Sequence, residues 1–375
     1  MNRLVLIGNG FDLAHGLKTR YEDFINWYWG QWGFRLLNGK DKKESDGLCS
    51  FTLKDEIQLR SWFYVWGYHY TRTNPLDPWK PNDVVTLARN DKELCEFKFE
   101  GDLLKKICHS ISSKKWVDIE NDYYSLLERR IAPINDCSEK DVVILNLQMD
   151  ILRNRLVEYL KQEQDKGVVI IDGIKEKLLS SIKEEEIAVS YKSRQNNSSI
   201  YEMNPVATML LNFNYTNTPE QYIIDQSTMS INYIHGKIDN PQGVIFGYGD
   251  ELDDSFKKLQ YLNENECLRH IKSVHYLESN CYRKMLEFIE SDAFQIVIMG
   301  HSCGNSDRTL LNTLFEHKNC VSIKPYYHQK DGQDNYIDII QNISRNFTDM
   351  KLMRDRVVNK EYCEALVPEI IERTV

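Results

Sequence analysis

Hydrophobic positions along the chain fall into two patterns. The first is a set of short apolar runs, each followed by polar or glycine-containing residues: Leu4–Ile7, Thr208–Phe213, Ile231–Ile234, Gly243–Phe246, Gln295–Met299 and Val321–Lys324. Unbroken apolar runs of this length predict strands buried on both faces, the habit of a mostly parallel sheet covered by helices. The second pattern fills residues 25–204, which are rich in aromatics (Trp27, Tyr28, Trp29, Trp32, Phe34, Trp62, Phe63, Tyr64, Trp66) and in helical periodicity. Helices are predicted over Trp116–Leu127 and Val142–Gln164, the latter with Val143, Leu147, Ile151, Leu156 and Leu160 near one face. Aromatic residues at such spacing predict core. Further helices are expected over Ser255–Leu262, Leu268–Ser291 and Leu310–Phe315, and a polar linker at Lys192–Ser199. The pattern therefore predicts a discontinuous α/β domain of residues 1–24 and 205–350, a mostly helical insertion of 25–204, and a helical tail of 351–375.

Composition narrows the class without naming a chemistry. With 375 residues, 42% hydrophobic and 27% charged, the chain has the balance of an ordinary globular protein. A strand starting at residue 3 leaves no room for a signal peptide, and no apolar run approaches a membrane span. A net charge of −9 argues against a nucleic-acid coat. The nine cysteines are scattered, with no Cys-x-x-Cys pair, which argues against a disulfide framework and a zinc knuckle. The expectation is a cytoplasmic protein with reduced thiols and no metal.

Four strand ends carry residues suited to chemistry. Leu4–Ile7 runs into Gly8-Asn9-Gly10-Phe11-Asp12, where two glycines allow close approach to a ligand and a starting helix offers N–H groups to an anion. A branched side chain at Gly10 is then expected to occupy phosphate space while sparing the fold. The third glycine of the dinucleotide fingerprint is replaced by Leu13. Asp12 suits a helix cap better than a phosphate contact, because like charges repel. The second strand end, Asn212–Thr218, holds three Asn and two Thr, side chains that compete for backbone hydrogen bonds. Asn217 or Thr218 suits a cap before Pro219, leaving Asn214 for a ligand. The third, Ile234-His235-Gly236, offers a base near neutral pH. The fourth, Gly300-His301-Ser302-Cys303-Gly304, has the small residues a nucleoside needs and also fits a Gly-x-Ser-x-Gly nucleophile elbow. In that alternative Ser302 is the nucleophile and His317 or His328 its base, while Asp307 caps the next helix.

The opening Leu-Ile-Gly-Asn-Gly-Phe-Asp-Leu-Ala-His-Gly-Leu-Lys-Thr-x-Tyr-x-Asp-Phe (Leu6–Phe24) resembles the AbiH family of bacterial phage abortive-infection proteins. Asn212–Thr218, Ile234–Gly236 and Ile298-Met-Gly-His-Ser-x-x-x-x-Asp307 fit that family as well. In order and spacing these segments are also similar to the sirtuin-like NAD-binding fold. That resemblance implies that Gly8 and Gly10, with Asn9, Phe11 and Asp12 around them, grip a dinucleotide. It implies that Asn214 and His235 act on the nicotinamide ribose, and that Gly300 and Ser302 hold the adenosine half. Two departures stand out. The middle motif is Asn214-Tyr215-Thr216 where sirtuin-like proteins carry Asn-x-Asp, and no four-cysteine zinc module follows His235. Deacylation therefore ranks below NAD cleavage. The resemblance implies an anti-phage effector that hydrolyses NAD as substrate, not as cofactor, with a phage-derived or protein trigger and room for homo-oligomerisation. The alternatives are a nucleotide-binding sensor or toxin scaffold without turnover, and the Ser302 hydrolase.

Overall fold

The computed structural model describes residues 1–38, 43–54, 95–114, 118–131, 139–194 and 202–368. The chain divides into two compact units, one of residues 1–17, 160–257 and 271–375, the other of 18–159 and 258–270.

The first unit is built on a five-stranded sheet. Its strands are β1 (Asn2–Ile7), β2 (Thr208–Asn212), β3 (Met229–Tyr233), β4 (Phe294–Met299) and β5 (Cys320–Tyr326). Their spatial order is β5-β4-β1-β2-β3, and every pairing is parallel. Leu4–Ile7 thus lies between 208–212 and 294–299, as the apolar runs predict. Alternation of side chains sends Leu4, Leu6, Leu211, Ile296, Ile298 and Ile323 to one face. There they meet Met285 and Ile289 of α3 (Cys281–Ser291), Leu310, Leu311 and Leu314 of α4 (Arg308–Phe315), Ile339 and Ile343 of α5 (Tyr336–Arg345) and Met353 of α6 (Met350–Arg356). Val5, Ile7, Leu210, Val297 and Met299 face the other way, onto Phe11 of α1 (Asn9–Ala14), Ile174 and Leu178 of α2 (Asp172–Leu179), and Tyr222. Two covered faces explain why these strands read as unbroken apolar runs.

Some expectations fail here. Gly243–Phe246 is not a strand: Pro241–Gly243 forms a 3-10 turn, and in the buried segment beyond it Ile245 N–H donates to His235 O at 2.9 Å while Ile245 O accepts from the Tyr215 hydroxyl at 3.0 Å. The stretch Leu268–Ser291 is not one helix. It breaks where Ile271 bridges Tyr248, giving a short helix Lys272–His275, a 3-10 turn and then α3. Lys192–Arg194 end a helix that starts at Val189, and the rest of the expected linker lies outside the described residues.

The second unit holds helices Tyr21–Asn38, Asp102–Lys114, Ile119–Ile131 and most of Glu139–Gln164. It also holds a three-stranded antiparallel sheet of Lys43–Ser45, Cys49–Leu53 and Cys95–Phe99, which the helical reading missed. Tyr28, Trp29 and Trp32 are core, as expected, beside Phe51. Trp62, Phe63, Tyr64 and Trp66 lie outside the described residues. On Glu139–Gln164 Leu156 and Leu160 of the expected face are buried, but Leu147 is about half exposed, and Leu145, Met149 and Leu152 are buried instead. Among the described residues no helix is long and apolar enough to cross a membrane. Cys49, Cys108, Cys267, Cys281, Cys303, Cys320 and Cys363 are free thiols.

Candidate functional site

The chain runs outward from β1 through β2 to β3, then returns to the other side of β1 for β4 and β5. The carboxyl ends of β1 and β4 therefore flank the point where strand order reverses, the usual place for a ligand crevice in an open α/β sheet. Here that place is filled by backbone. Gly8 N–H donates to Met299 O at 3.3 Å, Gly10 N–H donates to Gly300 O at 2.8 Å, and Ile7 bridges Gly300. A Cβ on Gly8 would lie 2.5 Å from His301 Cα, and one on Gly10 would lie 2.8 Å from Gly300 Cα. Gly300 has φ of +76°, and a Cβ there would meet Phe11 N at 2.1 Å. The glycines are required by two turns touching each other. This corrects the expectation that a side chain at Gly10 displaces only a phosphate.

The N–H groups expected to face an anion have partners in the protein. Gly10 N–H is bonded to Gly300 O, and Phe11 N–H donates to Gly8 O at 2.9 Å. The Phe11 ring is fully buried against His15 and Tyr222. Asn9 is the exposed residue of the turn. Gly8, at the N-cap of α1, has no side chain to cap with, and Asp12 does not cap either. Its carboxylate is buried, with Oδ2 accepting from Thr216 Oγ1 at 2.6 Å. Oδ1 has no hydrogen-bond partner among the described residues. Burial raises the Asp12 pKa to about 6, against the opposing pull of Thr216, Thr218 and Asn214.

The polar end of β2 mostly holds itself together. Asn212 Nδ2 donates to Thr216 O at 3.0 Å and its Oδ1 accepts from Asn214 N–H at 3.1 Å. Asn217 stands at the N-cap of the 3-10 turn Thr218–Tyr222 but makes no side-chain cap bond, and its N–H donates to Gln164 Oε1. Asn214 is half-buried, and its Nδ2 donates to Gly8 O at 2.9 Å, tying this loop to the first turn.

His235 follows β3 and is almost wholly buried. Its Nε2 lies 3.3 Å from Asp307 Oδ1 and 3.5 Å from the Tyr276 hydroxyl. Lys272 Nζ, also buried, donates to the same Asp307 oxygen at 2.9 Å, and His301 Nε2 lies 3.7 Å from Asp307 Oδ2. The Phe213 ring meets both histidines, at 5.4 Å from His235 and 4.1 Å from His301. Burial, and then Lys272, push the His235 pKa below its ordinary value, so the ring is neutral at pH 7. Burial alone would raise Asp307, but Lys272 and His235 overcome it and hold this carboxyl well below the usual range. Asp307 occupies the N-cap of α4 without a cap bond, so its expected role is replaced by this ionic one. Lys272, Tyr276 and this use of Asp307 were missed because Lys272 and Tyr276 fell inside what reads as one long helix.

Ser302 is exposed. The left-handed residue of its turn is buried Cys303, with φ of +55°, not the serine. His317 pairs with Glu290 at 3.2 Å, and no histidine bonds the Ser302 hydroxyl among the described residues.

The family described as bacteriophage abortive infection AbiH matches residues 4–328, from β1 past β5. The chain belongs to the AbiH family. None of the curated proteins and none of the solved structures compared with it matches. The AbiH match takes in the Gly8–Gly10 turn, Asn214, His235 and the whole Asp307 cluster.

Proposed function

We propose that this AbiH protein is an anti-phage effector that hydrolyses NAD at the nicotinamide–ribose bond, on the carboxyl edge of a sirtuin-like sheet. The observation that carries the reading is the pairing of Asn214 and His235. They follow adjacent strands whose ends are in register, Asn212 beside Tyr233, and a hydrogen bond fixes each of them. Breaking the bond leaves an oxocarbenium-like ribose. With Nδ2 committed to Gly8 O, the Asn214 side-chain carbonyl is the dipole left to face that charge. A neutral His235 suits a general base toward a ribose hydroxyl or the attacking water. Gly8, Asn9, Gly10 and Gly300, with Ser302, would form the rim on which the rest of the dinucleotide lies, while Phe11 and Asp12 would act from beneath it. The sealed glycine turns favour a second reading, a nucleotide sensor without turnover, because they leave few backbone donors for phosphate.

The test follows NAD in phage-infected cells expressing the wild type, Asn214→Ala or His235→Ala, together with nicotinamide release by the purified proteins. Wild-type cells should lose NAD on infection, and each variant should lower turnover by about 10²- to 10⁴-fold. Protection from phage with NAD levels unchanged would overturn the reading and favour the sensor.

A further inference from the structure

Asp307 is the centre of a buried cluster that fixes the proton positions of two histidines. His301 Nδ1 accepts from Cys303 N–H at 3.0 Å, so its ring proton sits on Nε2, the nitrogen that faces Asp307 Oδ2. His235 also presents Nε2 to this carboxylate, at Oδ1, beside the ammonium of Lys272. An ionised carboxylate only accepts, so the His235 nitrogen facing it carries a proton. The Lys272–Asp307 pair is neutral in sum, which leaves no net negative charge to hold His235 as imidazolium. The groups facing His235 are Lys272 and Tyr276 from the 272–278 segment, Asp307 and His301 from the β4–α4 connection, and Phe213 and Tyr215 from the end of β2.

We propose that Asp307, with Lys272 behind it, is a positioning pair that locks neutral His235 as the Nε2–H tautomer and makes Nδ1 its reactive nitrogen. The proton-transfer part rests on the NAD-cleavage reading; the tautomer does not. In that reaction Nδ1 takes the proton from a ribose hydroxyl or from water, while the contact of Nε2–H with the Asp307 carboxylate keeps the ring oriented. Lys272 holds that carboxylate ionised and in place.

Two measurements separate the claims. Long-range 1H–15N spectra of the full chain labelled at its histidines should include at pH 7 a neutral Nε2–H ring that vanishes in His235→Gln. A His235 signal of the Nδ1–H form, or of imidazolium, would overturn the proposal whatever the enzyme's activity. In Asp307→Asn, His235 should lose its single-tautomer signature, and NAD turnover should fall by about 10²- to 10⁴-fold at nearly unchanged KM. A wild-type His235 spectrum retained in a folded Asp307→Asn protein would equally refute it. If that variant does not fold, the wild-type spectrum decides. Correct tautomers without NAD turnover would leave the positioning pair standing and remove only the NAD-cleavage reading.

Discussion

Asp12 is a carboxylate held where ionisation is costly. With a pKa of about 6 in the fold against 3.8 for the ordinary group, the native state binds the extra proton between these values. Stability contributed by Asp12 is therefore fully present below about pH 4 and falls as pH rises through 6, a loss on the order of 3 kcal/mol. Asp12→Asn keeps an acceptor for Thr216 and removes the charge. It should raise the melting temperature at pH 7.5, and the gain should shrink to nothing as the melts are repeated towards pH 4. A constant difference across that range would mean that Asp12 is not buried as described. Gly300 makes the opposite kind of demand. Gly300→Ala should cost about 3–5 kcal/mol, because a left-handed backbone and a clash with Phe11 N act together, and thermal melting of the variant measures it.

At the scale of elements, the five sheet strands were legible because burial on both faces writes itself as apolar runs. Gly243–Phe246 was misread on the same signal: a buried loop is as apolar as a strand, and only Pro241 just before it hinted at a turn. The antiparallel strands carried a period of two at Cys49, Phe51, Leu53 and at Cys95, Phe97, Phe99, but this was lost among aromatics read as helical. Asn214 and His235 were visible because each stands at a strand end, whereas Lys272 was hidden: its partner Asp307 is 35 positions away and nothing local marks it. In the second unit the helix Glu139–Gln164 meets His270, whose Nε2 lies 3.3 Å from Asn146 O and 3.8 Å from Asp150. Burial lowers this histidine to about 4, against the favourable charge of Asp150. A depressed histidine is neutral in the fold while the unfolded chain takes up a proton, so its contribution is complete above about pH 6.5 and is lost as pH falls towards 4. His270→Gln should flatten the acid limb of a denaturant-measured stability profile by about 3 kcal/mol. An acid limb of unchanged slope would show that His270 is already charged in the fold.

For the whole molecule these trends oppose each other. As pH falls from about 6.5 towards 4, protonation of Asp12 stabilises the fold while proton uptake by His235 and His270 in the unfolded chain destabilises it, so one carboxylate partly offsets two imidazoles on the acid side and their combined effect levels off above about pH 6.5. Asp12→Asn should steepen the acid limb and His270→Gln should flatten it, read as midpoint against pH. The contact between the Gly8–Gly10 and Gly300 turns has a different kind of consequence, one for how such a protein changes over generations. Most binding clefts are tuned by exchanging side chains, but this seam contains none at its closest points, since Gly8, Gly10 and Gly300 meet through main-chain atoms. Every substitution at those three positions adds bulk and none removes it. A lineage seeking a wider crevice there has no route through point mutation of the glycines; it must insert or delete residues in the turns, or build its specificity outward from Asn9 and Ser302.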